Sequence, residues 1–185
     1  RFFEPGNHFS ENIYVIKCEM KDVNDHLEMF ETYLTKYKNM LELEKPTGKN
    51  TSFYNLAKIS QHYDRISRCY ACNYEEIFKI SLPYYKIQKK RFSENISIEK
   101  LFIKLMSNDF DSHILRKYGV DIARSVLFKS KLINNIINNN PQKYFYFYLK
   151  KFDKYLKHLK INPGTCADLT VTTLLMDKIT DIVKY

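Results

Sequence analysis

Hydrophobic residues recur every three or four positions along most of the chain, which is the spacing of amphipathic α-helices. The pattern is clear from Asp22 onwards and ends in the turn residues at positions 45–50. Residues 1–21 do not decide between helix and strand. The stripe of the first predicted helix consists of Val23, Leu27, Phe30, Leu34, Tyr37 and Leu41.

Six further helices follow from the same spacing and from capping residues. The first of them begins at a cap, Thr51 or Ser52, and its apolar stripe ends at Ile66. The second runs from Asn73 to Pro83, and the third follows a cap at Ser97. The last three cover residues 120–139, residues 142–160, and Thr165 to the end of the chain. The expected inward residues of the last helix are Leu169, Thr172, Leu175, Met176, Ile179 and Val183. No strand pattern competes. The predicted fold is therefore all-α, a compact bundle of about seven helices in a single domain that spans residues 1–185.

Composition fits a globular chain, because 44% of the 185 residues are hydrophobic and 15% are aromatic. No apolar run approaches the roughly 20 residues of a membrane-spanning helix, and no signal peptide opens the chain. We therefore expect no membrane partner and a cytoplasmic protein. The chain begins at Arg1 with what looks like mid-protein sequence, so we expect a fragment or a processed form.

The net charge of +9 favours an anionic partner, either nucleic acid or a polyphosphate ligand. The four cysteines give little evidence of a metal site. Only Cys69 and Cys72 have suggestive spacing, and they lack the second pair of ligands that a structural zinc site needs. We interpret them as small buried residues on one helix face.

Residues 162–168 predict a helix start that could bind an anion. Pro163 cannot continue the preceding helix, and Gly164 permits a sharp turn. Thr165 is a suitable N-cap, with Asp168 three residues later as in a capping box. Free N–H groups at such a start attract phosphate, and the Asp168 carboxylate could hold Mg²⁺ beside it. An ordinary helix boundary would show the same residues.

A second stretch rich in chemistry covers residues 108–119. Asp111 offers a carboxylate for metal binding, His113 a titratable imidazole for proton transfer, and Arg116 with Lys117 cations for phosphate. Gly119 could close a helix in a left-handed turn. A charged surface loop would look similar. Further upstream, Asp64 could pair with Arg68 across one helical turn.

Residues 142–160 interleave tyrosines with lysines such as Lys150, Lys154 and Lys157. Such a helix could stack on single-stranded nucleic acid and neutralise it. More often such a helix presents a buried aromatic stripe and a solvated basic face.

Three segments in order resemble the triphosphoribosyl-dephospho-CoA synthase family. Residues 162–169 (NPGTCADL) resemble its C-terminal signature, and residues 110–119 (FDSHILRKYG) are similar to its Asp-Thr-x-x-x-Arg-x-x-Gly element, with Ser112 in place of the usual Thr. Residues 63–83 look like its segment around Asp-x-Ile-Ala. The resemblance covers roughly residues 51–180 and implies that the chain lacks an N-terminal portion of the family, including a Lys-Pro-Gly element.

The resemblance implies an all-α transferase that joins ATP, the triphosphoribosyl donor, to 3'-dephospho-CoA and releases adenine. Its product is a prosthetic-group precursor, so acyl carrier protein would be only an indirect partner. We assign Asp111 and Asp168 to Mg²⁺ or to the sugar, His113 to proton transfer and Asp64 as a further acidic candidate. Phosphates would be bound by Arg116, Lys117, Asn162, Gly164 and Thr165.

Two other classes remain open from the sequence. The net charge and the Tyr/Lys helix are compatible with a basic nucleic-acid-binding module that has no catalytic activity. A helical interaction domain without any site is also compatible with the pattern. Convergence of Asp64, Asp111, Arg116 and Asp168 on one cleft would favour the enzyme.

Overall fold

The computed structural model describes residues 52–139 and 144–182. The first predicted helix, the undecided residues 1–21 and Val183 lie outside this range. The described residues fall within one compact unit, Ser52–Tyr185. That residues 1–185 form a single domain stays a prediction.

The described part of the chain is all-α, with eight α-helices, one π-helical segment and no strand. The prediction of an all-α bundle is confirmed, with eight α-helices where six were predicted over the described residues. None of the described helices is long and apolar enough to cross a membrane. The α-helices are α1 (Phe53–Ser60), α2 (Arg65–Ala71), α3 (Leu82–Lys89), α4 (Glu94–Asn108), α5 (Ser112–Tyr118), α6 (Val120–Asn139), α7 (Phe145–His158) and α8 (Gly164–Ile182), and the π-helical segment is Glu76–Ser81.

Helix α4 lies at the centre of the bundle and packs most extensively on α6, with further contacts to α3 and α8. Its inward side chains are almost completely buried, and they meet Val126 and Leu127 of α6 in the apolar core. Burying each such side chain contributes about 1.5–3 kcal/mol. The buried apolar residues of α4 are Ile96, Leu101, Ile103, Leu105 and Met106.

Polar residues that begin helices explain several boundaries. The side chain of Ser52 accepts a hydrogen bond from Asn55 N (3.3 Å), so the predicted cap is confirmed. Asp64 caps α2 in the same way, accepting from Ser67 N at 2.9 Å. The single helix predicted from Ser52 to Ile66 is therefore two helices, because Asp64 starts a new one. The pairing predicted between Asp64 and Arg68 is not formed; each has a partner elsewhere in the chain.

The segment after α2 differs from the helix predicted at Asn73. Asn73 and Tyr74 have φ values of 50° and 57°, which is the left-handed region, and a π-helical turn follows them. Pro83 does not end this helix but lies in the first turn of α3, where its missing N–H is tolerated. Helix α4 begins earlier than predicted, at Glu94, and Ser97 lies inside it with its hydroxyl bonded to Ser93 O.

The buried stripe of α8 also differs from the prediction. Leu169 is buried, but Leu175 is 54% exposed and Ile179 is exposed as well. The inward positions instead carry threonines, and Thr170 and Thr173 satisfy their hydroxyls on the carbonyls of Cys166 and Leu169, both at 2.7 Å. Because these hydroxyls bond within the helix, their burial leaves no polar group unpaired.

Candidate active site

The Asp111 carboxylate joins the starts of two helices. One oxygen caps α5 by accepting from Ile114 N (3.0 Å), and the other accepts from Cys166 N (2.8 Å) in the first turn of α8. Asp111 is 5% exposed. A helix N-terminus attracts anions because its N–H groups and its dipole point outwards. The anion at the start of α8 in this structure is the Asp111 side chain itself.

In a second contact between the two helices, the donor lies on α5 and the acceptor on α8. His113 N donates to Thr165 Oγ1 at 3.1 Å, so Thr165 lies inside α8 and its hydroxyl helps to begin α5 rather than capping its own helix. The imidazole lies over Gly164, where an added Cβ would be 3.5 Å from His113 Cγ. His113 and Gly164 are half-buried, so this corner is open to solvent on one side.

Arg65 connects this corner to the rest of the interior. Its backbone N–H donates to Ser112 Oγ at 2.7 Å. Its guanidinium is bidentate to Glu76 and also donates to Leu105 O at 2.9 Å. No sequence motif assigned a role to Arg65 or Glu76. Only their opposite charges, at positions 65 and 76, could have indicated a pair.

A charged cleft with a volume of about 560 Å³ opens beside Glu76. Arg68 crosses its floor, with ion pairs to Asp109 at 2.5 Å and to Glu76 at 3.9 Å. Lys79 and Lys104 lie in the walls. Three carboxylates, Glu75, Glu76 and Asp109, line it as well, and Lys79 pairs with Glu75 at 2.6 Å, so the positive and negative side chains of this cleft balance. Sequence reasoning missed this cleft because its residues come from α2, the π-helical segment and α4.

The other predicted residues lie near the surface. Arg116 donates to the Asp64 carboxylate in an ion pair of 3.2 Å, so these two predicted residues are brought together. Lys117 is exposed, with its ammonium over the Tyr118 ring. Asn162 is exposed, and its carbonyl accepts from Gly164 N at 3.0 Å. None of these side chains lines the charged cleft.

The model of a protein family described as CitG: ATP:dephospho-CoA triphosphoribosyl transferase matches residues 15–184. The chain belongs to this family. The resemblance noted in the sequence is thereby confirmed, and the protein is an enzyme, a triphosphoribosyl transferase. No solved structure matches the chain. The family assignment gives no support to the nucleic-acid-binding alternative.

In this transferase Asp168 lies in a different environment from Asp111. It is exposed on the first turns of α8 and lines a smaller pocket of about 240 Å³, together with Tyr70 and Tyr74. Cys69 contributes to the lining of both the charged cleft and the smaller pocket. Burial raises the pKa of the Cys69 thiol to about 11, so this thiol is protonated at neutral pH.

The described residues of the transferase contain no group of three or more His, Cys, Asp and Glu side chains placed to hold a metal ion. Both carboxylate oxygens of Asp111 accept backbone N–H bonds. Asp168 has an exposed carboxylate, and Mg²⁺ often takes only one or two protein carboxylates, with substrate phosphates completing its shell. The metal role assigned to Asp111 and Asp168 stays a prediction.

Proposed function

We propose that the protein joins ATP to 3'-dephospho-CoA. A ribose hydroxyl of dephospho-CoA attacks the anomeric carbon of the ATP ribose. The bond from that carbon to the adenine nitrogen breaks, and adenine leaves with the bonding electron pair. The hydroxyl loses a proton and adenine gains one, so charge balances. The triphosphate remains on the transferred sugar, giving 2'-(5''-triphosphoribosyl)-3'-dephospho-CoA.

The observation that carries this proposal is the double hydrogen bonding of Asp111. Because its carboxylate joins α5 to Cys166 N, it brings the family's two motif segments, residues 110–119 and 162–169, to one place. Breaking a glycosidic bond to a nitrogen base develops positive charge on the sugar, and a nearby carboxylate stabilises such a centre. Asp168, exposed beside this junction, is the carboxylate that we assign to the sugar.

Proton transfer falls to His113 in this proposal. Its ring is half-buried over Gly164, and its backbone is fixed by Thr165. An imidazole can accept a proton from the attacking hydroxyl near neutral pH. Asp111 acts as a positioning residue, since both of its oxygens are already hydrogen-bonded to backbone N–H groups.

The triphosphate needs cations, and several lie within the described residues. Arg116 and Lys117 are exposed on α5, and the charged cleft contains Arg68, Lys79 and Lys104, of which Arg68 and Lys79 are ion-paired with carboxylates of the same cleft. The N–H groups of Gly164, Cys166 and Ala167 already bond to Asn162 O, to Asp111 and to Pro163 O. We therefore propose that side-chain cations carry more of the phosphate binding than the Gly164–Thr165 turn. Mg²⁺ bound with the nucleotide would neutralise part of the phosphate charge.

Incubation of the full chain with ATP, Mg²⁺ and dephospho-CoA tests the reaction, with free adenine measured by chromatography. The expected result is one adenine released for each triphosphoribosyl group transferred. Adenine must appear only when dephospho-CoA is present. Transfer without adenine release, or no consumption of ATP, would contradict the proposal.

Asp168→Asn should reduce adenine release by at least a hundredfold, because the neutral amide cannot stabilise the developing charge. Its circular dichroism spectrum should match that of the unmodified protein, since Asp168 is exposed. The matched control is Asp153→Asn on α7, which removes an exposed carboxylate that pairs only with Lys157 among the described residues. Turnover by Asp168→Asn equal to that of the control would remove Asp168 from the site.

A further inference from the structure

The smaller pocket beside Asp168 has the size and the lining of a site for an uncharged ring. Tyr70 of α2 and Tyr74 form one wall, with ring centroids 5.3 Å apart and planes at 65°. Leu169 and Thr172 of α8 contribute to the rest. Phe53 contacts Tyr70 edge-on from the outer side, at 4.9 Å between centroids. Because the two planes differ by 65°, one ring can stack on the face of a nucleobase while the other meets the edge of that base.

Charge in the pocket excludes a phosphate. The only charged residue in its lining is Asp168, and no lysine or arginine lines it. A carboxylate would repel phosphate but accepts hydrogen bonds from amino or hydroxyl groups. Burial, together with the neighbouring Tyr70, raises the pKa of Tyr74, which keeps its phenol neutral. The lining thus suits a ring that carries N–H donors.

Size separates this pocket from the charged cleft. Sites for drug-sized ligands commonly occupy about 300–1,000 Å³. The cleft, at about 560 Å³, falls in that range, whereas the pocket, at about 240 Å³, suits only a part of a nucleotide.

The backbone conformation at Tyr74 independently supports a ligand site at this pocket. Asn73 and Tyr74 both have positive φ, and a bulky side chain rarely adopts that conformation. The π-helical segment begins two residues later. Strained φ values and π-helical turns both concentrate at ligand-binding sites. Here the strained turn places the Tyr74 ring in the pocket wall.

We propose that this pocket binds the adenine base of the nucleotide donor, with the Tyr70 and Tyr74 rings against the base and Asp168 beside the sugar to which the base is attached. The proposal rests on the proposed function, since it takes ATP as the donor. It adds two residues, Tyr70 and Tyr74, to which the sequence motifs assigned no role.

Calorimetric titration with two probes tests the base site. The probes are ATP and ribose 5-triphosphate, which has the same sugar and phosphates but no base. Tyr70→Ala and Tyr74→Asn should each weaken ATP binding on the order of tenfold, as loss of a stacking partner does. Asn at position 74 tolerates the positive φ, so the turn is kept. Binding of ribose 5-triphosphate should change less than twofold.

The matched control is Tyr146→Ala on α7, an exposed tyrosine outside the pocket. It should leave both affinities unchanged. The base site would be overturned if the Tyr70 and Tyr74 variants lost affinity equally for both probes, or if their affinity for ATP were unchanged. Light-induced crosslinking of 8-azido-ATP to the unmodified protein gives a second measurement that no folding defect affects. The labelled peptide should contain Tyr70 or Tyr74, and labelling confined to other peptides would refute the proposal.

Adenine release measured on the same variants separates the two proposals. If the base site is wrong but the reaction is right, the variants release adenine with an unchanged KM for ATP. If the base site is right but the reaction is wrong, the base-specific loss of ATP binding appears although the unmodified protein releases no adenine.

Discussion

Arg65 holds a positive charge at a position that is 2% exposed, and its surroundings explain why it stays charged. Burial alone would lower the pKa of its guanidinium. The hydrogen bonds to Glu76 and the negative charges nearby raise the pKa by more than burial lowers it, so the net shift is upwards. Its backbone N–H meanwhile binds Ser112, next to Asp111. One residue therefore connects the helix junction to the charged cleft.

Arg65→Met should lower the free energy of unfolding by about 3–5 kcal/mol, because it leaves Glu76 as a largely buried carboxylate without its main partner. Urea denaturation followed by circular dichroism measures the change. Adding Glu76→Gln to the same chain should restore part of the loss, since no charge is then unpaired. The control Arg91→Met removes an exposed arginine and should cost less than about 0.5 kcal/mol. A loss that the double variant does not reduce would contradict this explanation.

Contacts such as those of Arg65, which form between separate helices, limit which side-chain roles the sequence could predict. The motifs identified Asp111, His113, Gly164 and Thr165, and the structure places them at one junction. They did not reveal that Asp111 is the anion bound at the start of α8. That role depends on how two helices meet, and helix packing has no local signature in the sequence.

Among the elements, the short helix α5 is set by its two ends. Asp111 begins it, and Gly119 ends it with φ 82° and ψ 172° before α6 starts at Val120. These angles lie in a region that is almost restricted to glycine. The prediction that Gly119 closes a helix is confirmed, although its ψ differs from that of a left-handed turn.

Gly119→Ala should lower the free energy of unfolding by about 1–3 kcal/mol through backbone strain alone. An added Cβ would meet no atom within 4 Å, so steric clash does not contribute. Thermal denaturation of the variant checks the prediction. Gly164→Ala is the comparison, because its added Cβ makes only ordinary contact with the His113 ring and its φ is not positive. An equal loss in both variants would argue against a conformational cause at Gly119.

Hydrophobic spacing predicted α6 at its observed bounds and α7 within a few residues. It failed on α8, where buried threonines bond to their own helix and leave Leu175 outside. It also failed at Asn73, because a left-handed turn followed by a π-helical segment has no simple periodicity.

For the molecule as a whole, residue spacing and composition were enough to predict the fold class. Helical periodicity is local, so an all-α bundle can be inferred without knowing which helices touch. The charged cleft could not be inferred, since Arg68, Lys79 and Asp109 come from three separate segments. A site assembled by packing becomes visible only when the packing is known.

Thiol labelling tests the packing of the whole molecule. Cys69 and Cys166 are buried, whereas Cys72 is half-buried. At pH 8, Cys69 with a pKa of about 11 holds roughly a hundredfold less thiolate than a thiol at the ordinary value of about 9. Among the three cysteines that the structure describes, iodoacetamide should therefore modify Cys72 first, and Cys69 and Cys166 only when the protein unfolds. Mass spectrometry of digested samples gives the order, and rapid modification of Cys69 in the native protein would contradict it.

The same pKa shift has a definite sign for stability. The folded state binds the Cys69 proton more tightly than the unfolded chain does, because burial penalises the thiolate. This contribution is complete below pH ~9 and is lost as the pH rises towards about 11. Between pH ~9 and about 11, the free energy of unfolding should therefore fall less in Cys69→Ala than in the unmodified protein.

Helix α8 is held by buried carboxylates at two places along its length. Cys166 near its start bonds to Asp111, and Asp177, three turns later, is 1% exposed and accepts from Lys89 of α3 at 2.6 Å. A ligand that pushed the first turn along the helix axis would also have to draw a buried carboxylate away from its lysine. Rigid sliding of this helix would therefore break both contacts, and we expect α8 to keep its position when substrate binds.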